Sequence, residues 1–210
     1  MTRRALAAEL AACCRHLSQR GLIAGRDGNL SARAGKDRVL VTPSGGLKHR
    51  LRPTDMVEVD LRGRRQVGRR NPTSELDLHL RILRLRSDVG AVIHAHPPAA
   101  TAFALAGEGL ASFSLPELIL LVGRVPLVPF GMPGTPELGE QVEACLGGHA
   151  ALLLANHGAV TLGRSLEEAW IRMETLEHSA RILLGARLLG RVTELTPEVV
   201  ARLEALRASV

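Results

Sequence analysis

The amino-acid sequence predicts an α/β protein, a single layered fold in which a central mixed sheet is flanked by helices, and three observations carry that expectation. Apolar residues recur at helical spacing near the N-terminus, after Thr73 and through a long C-terminal stretch, while short alternating or wholly apolar runs lie between them. Turn-forming clusters such as Ala34-Gly35, Pro43-Ser44-Gly45-Gly46 and Arg62-Gly63 punctuate the first third, after which strands and helices take turns. The chain has 210 residues, 46% of them hydrophobic, enough for one sizeable core and short for two, so one domain over 1–210 is expected.

Leu6, Leu10, Cys13 or Cys14 and Leu17 fall on one helical face that stops at Gly21. Leu30 to Arg33, Arg38 to Thr42, Met56 to Asp60 and Arg65 to Gly68 read as strands between the turns. From Thr73 the period becomes helical through Leu76, Leu80 and Leu83, with Thr73 or Pro72 as the expected cap. Gly90 to His94 is a strand, followed by helices from Pro97 and Leu115. A strand at Val125 to Val128, a helix after Pro136 and strands at Ala151 to Ala155 and Ala159 to Leu162 come next. A helix from Ser165 to about Gly190 and a short one from Thr196 complete the order, with no internal repeat.

Composition excludes several functions. The net charge of +6 raises the question of nucleic acid, but Arg62, Arg64, Arg65, Arg69 and Arg70 sit around Gly63 and Gly68 in a solvated hairpin pattern with no aromatic platform, so no nucleic-acid partner is expected. Aromatic residues make up 2% and tyrosine is absent, which rules out tyrosine chemistry. Cys13, Cys14 and Cys145 form no C-x-x-C pair and read as reduced thiols of a cytoplasmic protein. Glu9 and Arg15 interrupt the alanine-rich N-terminus, and Glu117 and Arg124 interrupt the most apolar stretch, so neither a signal peptide nor a membrane span is expected.

The chemistry concentrates at strand ends. In Ala91-Val92-Ile93-His94-Ala95-His96-Pro97 the two histidines are two residues apart on a strand, so they share a face and can share a metal ion. His157 follows another apolar strand, and three imidazoles leave an open coordination position, the mark of a catalytic site. An H-x-H pair alone also fits two packed core histidines. Glu75 opens a helix beside Thr73 and Ser74, whose hydroxyls and N–H groups make an anion site next to a candidate base. His79, one turn further on, reads as a support or core residue. Gly28-Asn29 and Ser44-Gly45-Gly46 are turns that permit close backbone approach, and Lys36 and Lys48 lie in loop contexts that do not support a Schiff base.

In order, G-R-D-G-N-L-S-A-R (25–33), V-T-P-S-G (41–45), N-P-T-S-E (71–75), A-V-I-H-A-H-P-P (91–98) and L-L-A-N-H-G-A-V (153–160) resemble the class II aldolase/adducin family, and within it the L-fuculose-phosphate aldolase type. The resemblance spans about residues 21–180 and implies the family's largely antiparallel sheet. It further implies one Zn2+ per chain, or Mn2+ or Co2+, held by His94, His96 and His157, with Glu75 as fourth ligand or acid/base. It implies a substrate-phosphate pocket from Asn29, Ser44, Gly45, Thr73 and Ser74, and a homotetramer with active sites near subunit contacts. The implied reaction is cleavage of a small ketose 1-phosphate to dihydroxyacetone phosphate and an aldehyde through a metal-stabilised enediolate. The family's aldolases use a tyrosine on the aldehyde side; here the corresponding place falls at or near Glu117, a carboxyl that burial would raise into an acid/base range. That substitution keeps a methylthioribulose-1-phosphate dehydratase-like activity open. A 4-epimerase, which carries aspartate at the Glu75 position, and a non-catalytic adducin-like binding module fit the retained residues less well.

Overall fold

Side-chain alternation sorts the apolar residues of each strand onto two faces, and each face meets its own set of helices. The computed structural model describes residues 2–110 and 113–208. Helix α1 (Arg3–Gln19) is capped by the Thr2 side chain, which accepts a hydrogen bond from the Ala5 amide. It buries Leu6, Leu10, Cys14 and Leu17 along one stripe, and Gly21, at φ +69°, turns the chain away from the helix end.

Strands β1 (Asn29–Gly35), β2 (Arg38–Val41), β3 (Val57–Asp60) and β4 (Arg65–Val67) form an antiparallel meander. Helix α2 (Leu76–Leu85) crosses back to β5 (Ala91–Ala95), which pairs with the free side of β1. Helices α3 (Pro98–Leu105) and α4 (Pro116–Leu121), strand β6 (Leu127–Val128) and helix α5 (Pro136–Leu146) follow. Strands β7 (Ala151–Leu154) and β8 (Gly158–Gly163) are a hairpin, and helices α6 (Leu166–Leu188) and α7 (Pro197–Ala208) end the chain. The eight strands stand in the order β4-β3-β2-β1-β5-β8-β7-β6, antiparallel throughout except for β6 beside β7.

The core follows from the pleat. Leu40, Ile93 and Leu153 pack with Leu10, Ala100 and Met173 on the face covered by α1, α3 and α6. Their neighbours Val39, Val41, Val92, Leu152 and Leu154 pack with Leu78, Ile82 and Val142 on the face covered by α2 and α5. Strands buried on both faces read as the continuous apolar runs seen at Ala91–Ala95 and Ala151–Leu154. Each buried Leu or Ile contributes about 1.5–3 kcal/mol, so a one-residue slip of β5 would forfeit several such terms and move both histidines to the wrong face. Cys13 and Cys14 are buried free thiols, and burial pushes the Cys14 thiol up to about 12.

Three local details differ from the sequence expectation. Helix α2 starts at Leu76 with Glu75 as its cap position, because the Thr73 amide donates to the Thr42 carbonyl and holds 72–73 in an isolated bridge, Pro43 opposite Pro72. Strand β6 is confined to Leu127–Val128 because Val125 pairs instead with Leu110. Short 3-10 turns at Lys48–Arg50 and Pro53–Asp55 join β2 to β3. Among the described residues no helix is long and apolar enough to cross a membrane.

Candidate metal centre

Register places the site. Asn29 of β1 stands opposite His94 of β5, and His94 in turn stands opposite Val160 of β8. His157 lies in the tight β7–β8 turn, where Asn156 adopts φ 56° and the His157 amide donates to the Leu154 carbonyl. Gly158 must be small: a Cβ there would come within 2.7 Å of His96 Cδ2 and 2.6 Å of the Ala95 carbonyl oxygen. The three imidazoles therefore converge although they come from two strand ends.

The Nε2 atoms of His94 and His96 are 3.1 Å apart, and the ligand atoms of His94, His96 and His157 all lie within 4.8 Å of one another. Tetrahedral donors at about 2.0–2.1 Å from a zinc ion would stand about 3.3 Å apart, so the cluster fits one ion. The His94 Nδ1–H donates to the Ala159 carbonyl at 3.0 Å, which leaves Nε2 with its lone pair facing the cluster. Burial pushes His94 down to about 3 and also lowers His157, so both are neutral and able to bind metal at ordinary pH. Glu75 Oε2 lies 3.4 Å from His94 Nε2 and Oε1 lies 3.6 Å from His157 Nε2. Among the described residues Glu75 Oε1 is a buried atom without a hydrogen-bond partner, the state expected of a group built to face a cation.

Glu75 is held in its charged form. Burial opposes the charge, but the His94 imidazole, a 2.6 Å hydrogen bond from the Asn29 amide, and His157 keep its pKa below the usual carboxylate range. Since His94 is itself neutral above about 3, the Asn29 amide is the contribution that persists at neutral pH.

The antiparallel Pro43–Pro72 bridge joins two of the segments named as an anion cradle, with Ser44 opposite Asn71 and Thr42 opposite Thr73. Some of their donors are spent. The Ser44 amide donates to the Asn71 carbonyl, the Thr73 amide to the Thr42 carbonyl, and the Glu75 amide to the Thr73 hydroxyl. Of the residues expected in the cradle, Ser44, Gly45 and Ser74 are exposed, and Asn29 and Thr73 are buried. Glu117 departs from expectation. It is exposed on the first turn of α4, not buried, because α4 turns Leu118 and Ile119 to the core and its acidic residue outward. It lines a cavity of about 600 Å³ with Arg20, Glu174, Thr175, His178 and Ile182, and none of the three clustered histidines lines that cavity. Sequence reasoning did not single out Ser31, whose hydroxyl bonds His79; its place two residues from Asn29 on one strand was the available signal.

Residues 8–184 match the family described as Class II Aldolase and Adducin N-terminal domain. The chain is 35% identical over 169 residues to an L-fuculose phosphate aldolase of Methanococcus maripaludis, an alignment covering 80% of this chain and 91% of that protein. It is 34% identical over 192 residues to a 3-oxo-tetronate 4-phosphate decarboxylase of Pectobacterium atrosepticum, covering 88% and 86%. A solved L-fuculose 1-phosphate aldolase superposes with a TM-score of 0.90 at 30% identity, covering 95% of this chain and 94% of that one. With its family match across most of its length and its fold shared with a solved aldolase, this chain belongs to the class II aldolase and adducin family.

Proposed function

We propose that the chain is a metal-dependent lyase that breaks the C3–C4 bond of a ketose 1-phosphate like L-fuculose 1-phosphate, releasing dihydroxyacetone phosphate and a small aldehyde. The observation that carries this reading is Glu75, a buried carboxylate set between the imidazole cluster and the Asn29 amide. His94, His96 and His157 would hold the ion, with Glu75 as a fourth ligand or proton carrier. A divalent ion held there, zinc by the family pattern, would supply Lewis acidity toward the negative charge of the three-carbon fragment. Glu75 carries a proton to and from the carbon that loses its partner. Asn29, Ser44, Gly45, Thr73 and Ser74 orient the phosphate, which fixes the reacting bond against Glu75.

Glu117 is the proposed acid/base on the aldehyde side. Its exposure and its separate cavity suit a residue that serves a neighbouring subunit's site, in the homotetramer we propose. One observation favours a second reading. The chain has no tyrosine, and decarboxylation of a phosphorylated 3-oxo acid needs no proton exchange on a departing aldehyde, while leaving the same dihydroxyacetone phosphate skeleton. Metal-analysed protein assayed against ketose 1-phosphates and 3-oxo-tetronate 4-phosphate, with dihydroxyacetone phosphate release and carbon dioxide as readouts, tests both. Release from no member of either panel would remove the lyase reading.

A further inference from the structure

Lys48 lies in a loop context, yet it is 3% exposed. Its ammonium donates to the Arg26 carbonyl at 2.6 Å and to the Gly46 carbonyl at 3.4 Å, and its backbone N–H donates to the Gly25 carbonyl at 3.1 Å. Among the described residues its hydrogen-bond partners are carbonyls and not a carboxylate. The two segments it joins are the Gly25–Gly28 loop that leads into Asn29 and the Ser44–Gly46 loop that follows β2. Both belong to the proposed phosphate pocket.

A buried ammonium without a carboxylate partner is costly unless a nearby negative charge compensates it. The groups facing Lys48 are Cys14, Asp27, Glu75 and Arg70, and burial outweighs them to pull its pKa below the ordinary lysine value. Cys14 is a neutral thiol, Glu75 is committed to Asn29 and the imidazoles, and Asp27 is exposed to solvent and lies 3.7 Å from His96 Nδ1. Arg70 adds a second cation to the same loop, with its guanidinium packed against Gly46 and 3.7 Å from Asp55. The cradle itself offers only neutral donors from Asn29, Ser44, Thr73 and Ser74. Dianionic phosphate held beside these loops would supply the charge that Lys48 lacks.

We propose that Lys48 is the positioning residue of the phosphate cradle: it ties the Arg26 and Gly46 carbonyls together and sets one desolvated positive charge behind the neutral donors, so that the site selects dianionic phosphate. This rests on the phosphorylated-substrate reading above. Lys48 touches no reacting atom, and its effect falls on how the loops and the charge receive the phosphate group.

The test is calorimetric titration of metal-loaded protein with inorganic phosphate at pH 8, alongside substrate kinetics. Lys48→Met is expected to keep its metal and weaken phosphate binding about 10–100-fold, the loss of a charge-assisted contact, with KM rising more than kcat falls. Lys48→Gln, which keeps an N–H donor and drops the charge, is expected to lie between wild type and Lys48→Met. Wild-type protein that binds no phosphate overturns the phosphate reading and this proposal together. Wild type that binds phosphate, with a folded Lys48→Met within twofold of it, overturns the role of Lys48 alone. Failure of both variants to fold, or joint loss of metal and phosphate, marks a purely structural clamp and overturns the proposal as well.

Discussion

The Nε2 of His79 lies 2.5 Å from the side-chain oxygen of Asn29, and that contact decides how Asn29 meets Glu75. An amide oxygen only accepts, so the imidazole carries its proton on Nε2, and its Nδ1 accepts from the Ser31 hydroxyl at 2.7 Å. The Asn29 NH2 is thereby turned to Glu75 Oε2. Replacing His79 by Leu leaves the Ser31 hydroxyl and the Asn29 side-chain oxygen buried without the imidazole they bond, at a cost of about 1–3 kcal/mol in stability. Denaturant melts should show that loss, and turnover should fall at least about tenfold with metal content unchanged, as expected when a general base loses its orientation.

The buried imidazoles give a pH dependence with a definite sign. Burial holds His79 down at about 4 against an unfolded value of 6.5, so between those pH values the unfolded chain binds a proton that the folded chain refuses. The stability is fully present above pH 6.5 and is lost as pH falls toward 4, about 3 kcal/mol from His79 alone. Metal-free protein melted across pH 4–7 should show this slope, and His79→Leu should flatten it. Equal slopes in the two proteins would show that His79 is not the group responsible.

Metal content separates the clustered histidines from the rest. His94→Ala and His157→Ala are expected to lose the ion, whereas His149→Ala, outside the cluster, should keep about one per chain, and chelation should abolish turnover. Gly158→Ala should also lose metal, because the added methyl would sit 2.7 Å from His96 Cδ2. Atomic absorption on dialysed protein reads all four. Full turnover in metal-free protein would remove the metal centre.

Phosphorylated sugars should be strongly preferred over free ones. Each hydrogen bond to a phosphate oxygen is worth roughly 1.5–3 kcal/mol, so losing two or three of them costs several orders of magnitude in kcat/KM. Steady-state kinetics on a ketose and its 1-phosphate measure the ratio, and a ratio near one counts against the cradle.

Glu117 and Glu75 should fail differently. Glu117→Gln is expected to slow aldol cleavage about 10²–10⁴-fold while sparing proton exchange on dihydroxyacetone phosphate, whereas Glu75→Gln should stop that exchange. Deuterium exchange followed by NMR reads the half-reaction separately. Unchanged cleavage in Glu117→Gln would make the residue an exposed helix-end charge and leave the aldehyde-side proton without a carrier.

The sequence by itself determined the element order, the two-sided burial of β5 and β7 and the strand-end histidines, because these are local: a period of two or 3.6 residues and an H-x-H spacing act within one segment. His94 and His96 were legible for that reason, and Glu75 and His157 through the motifs around them. The tertiary structure alone decided what depends on register between distant segments. Pairing of β1 with β5 put Asn29 opposite His94, and the Pro43–Pro72 bridge shortened the start of α2 and spent amides that the sequence had offered to an anion. Burial of Lys48 and exposure of Glu117 belong to the same kind. A lysine in a loop carries no signal of burial and a glutamate on an apolar helix start reads as buried, since which side of a turn faces the core is set by the elements that pack against it and not by the turn itself.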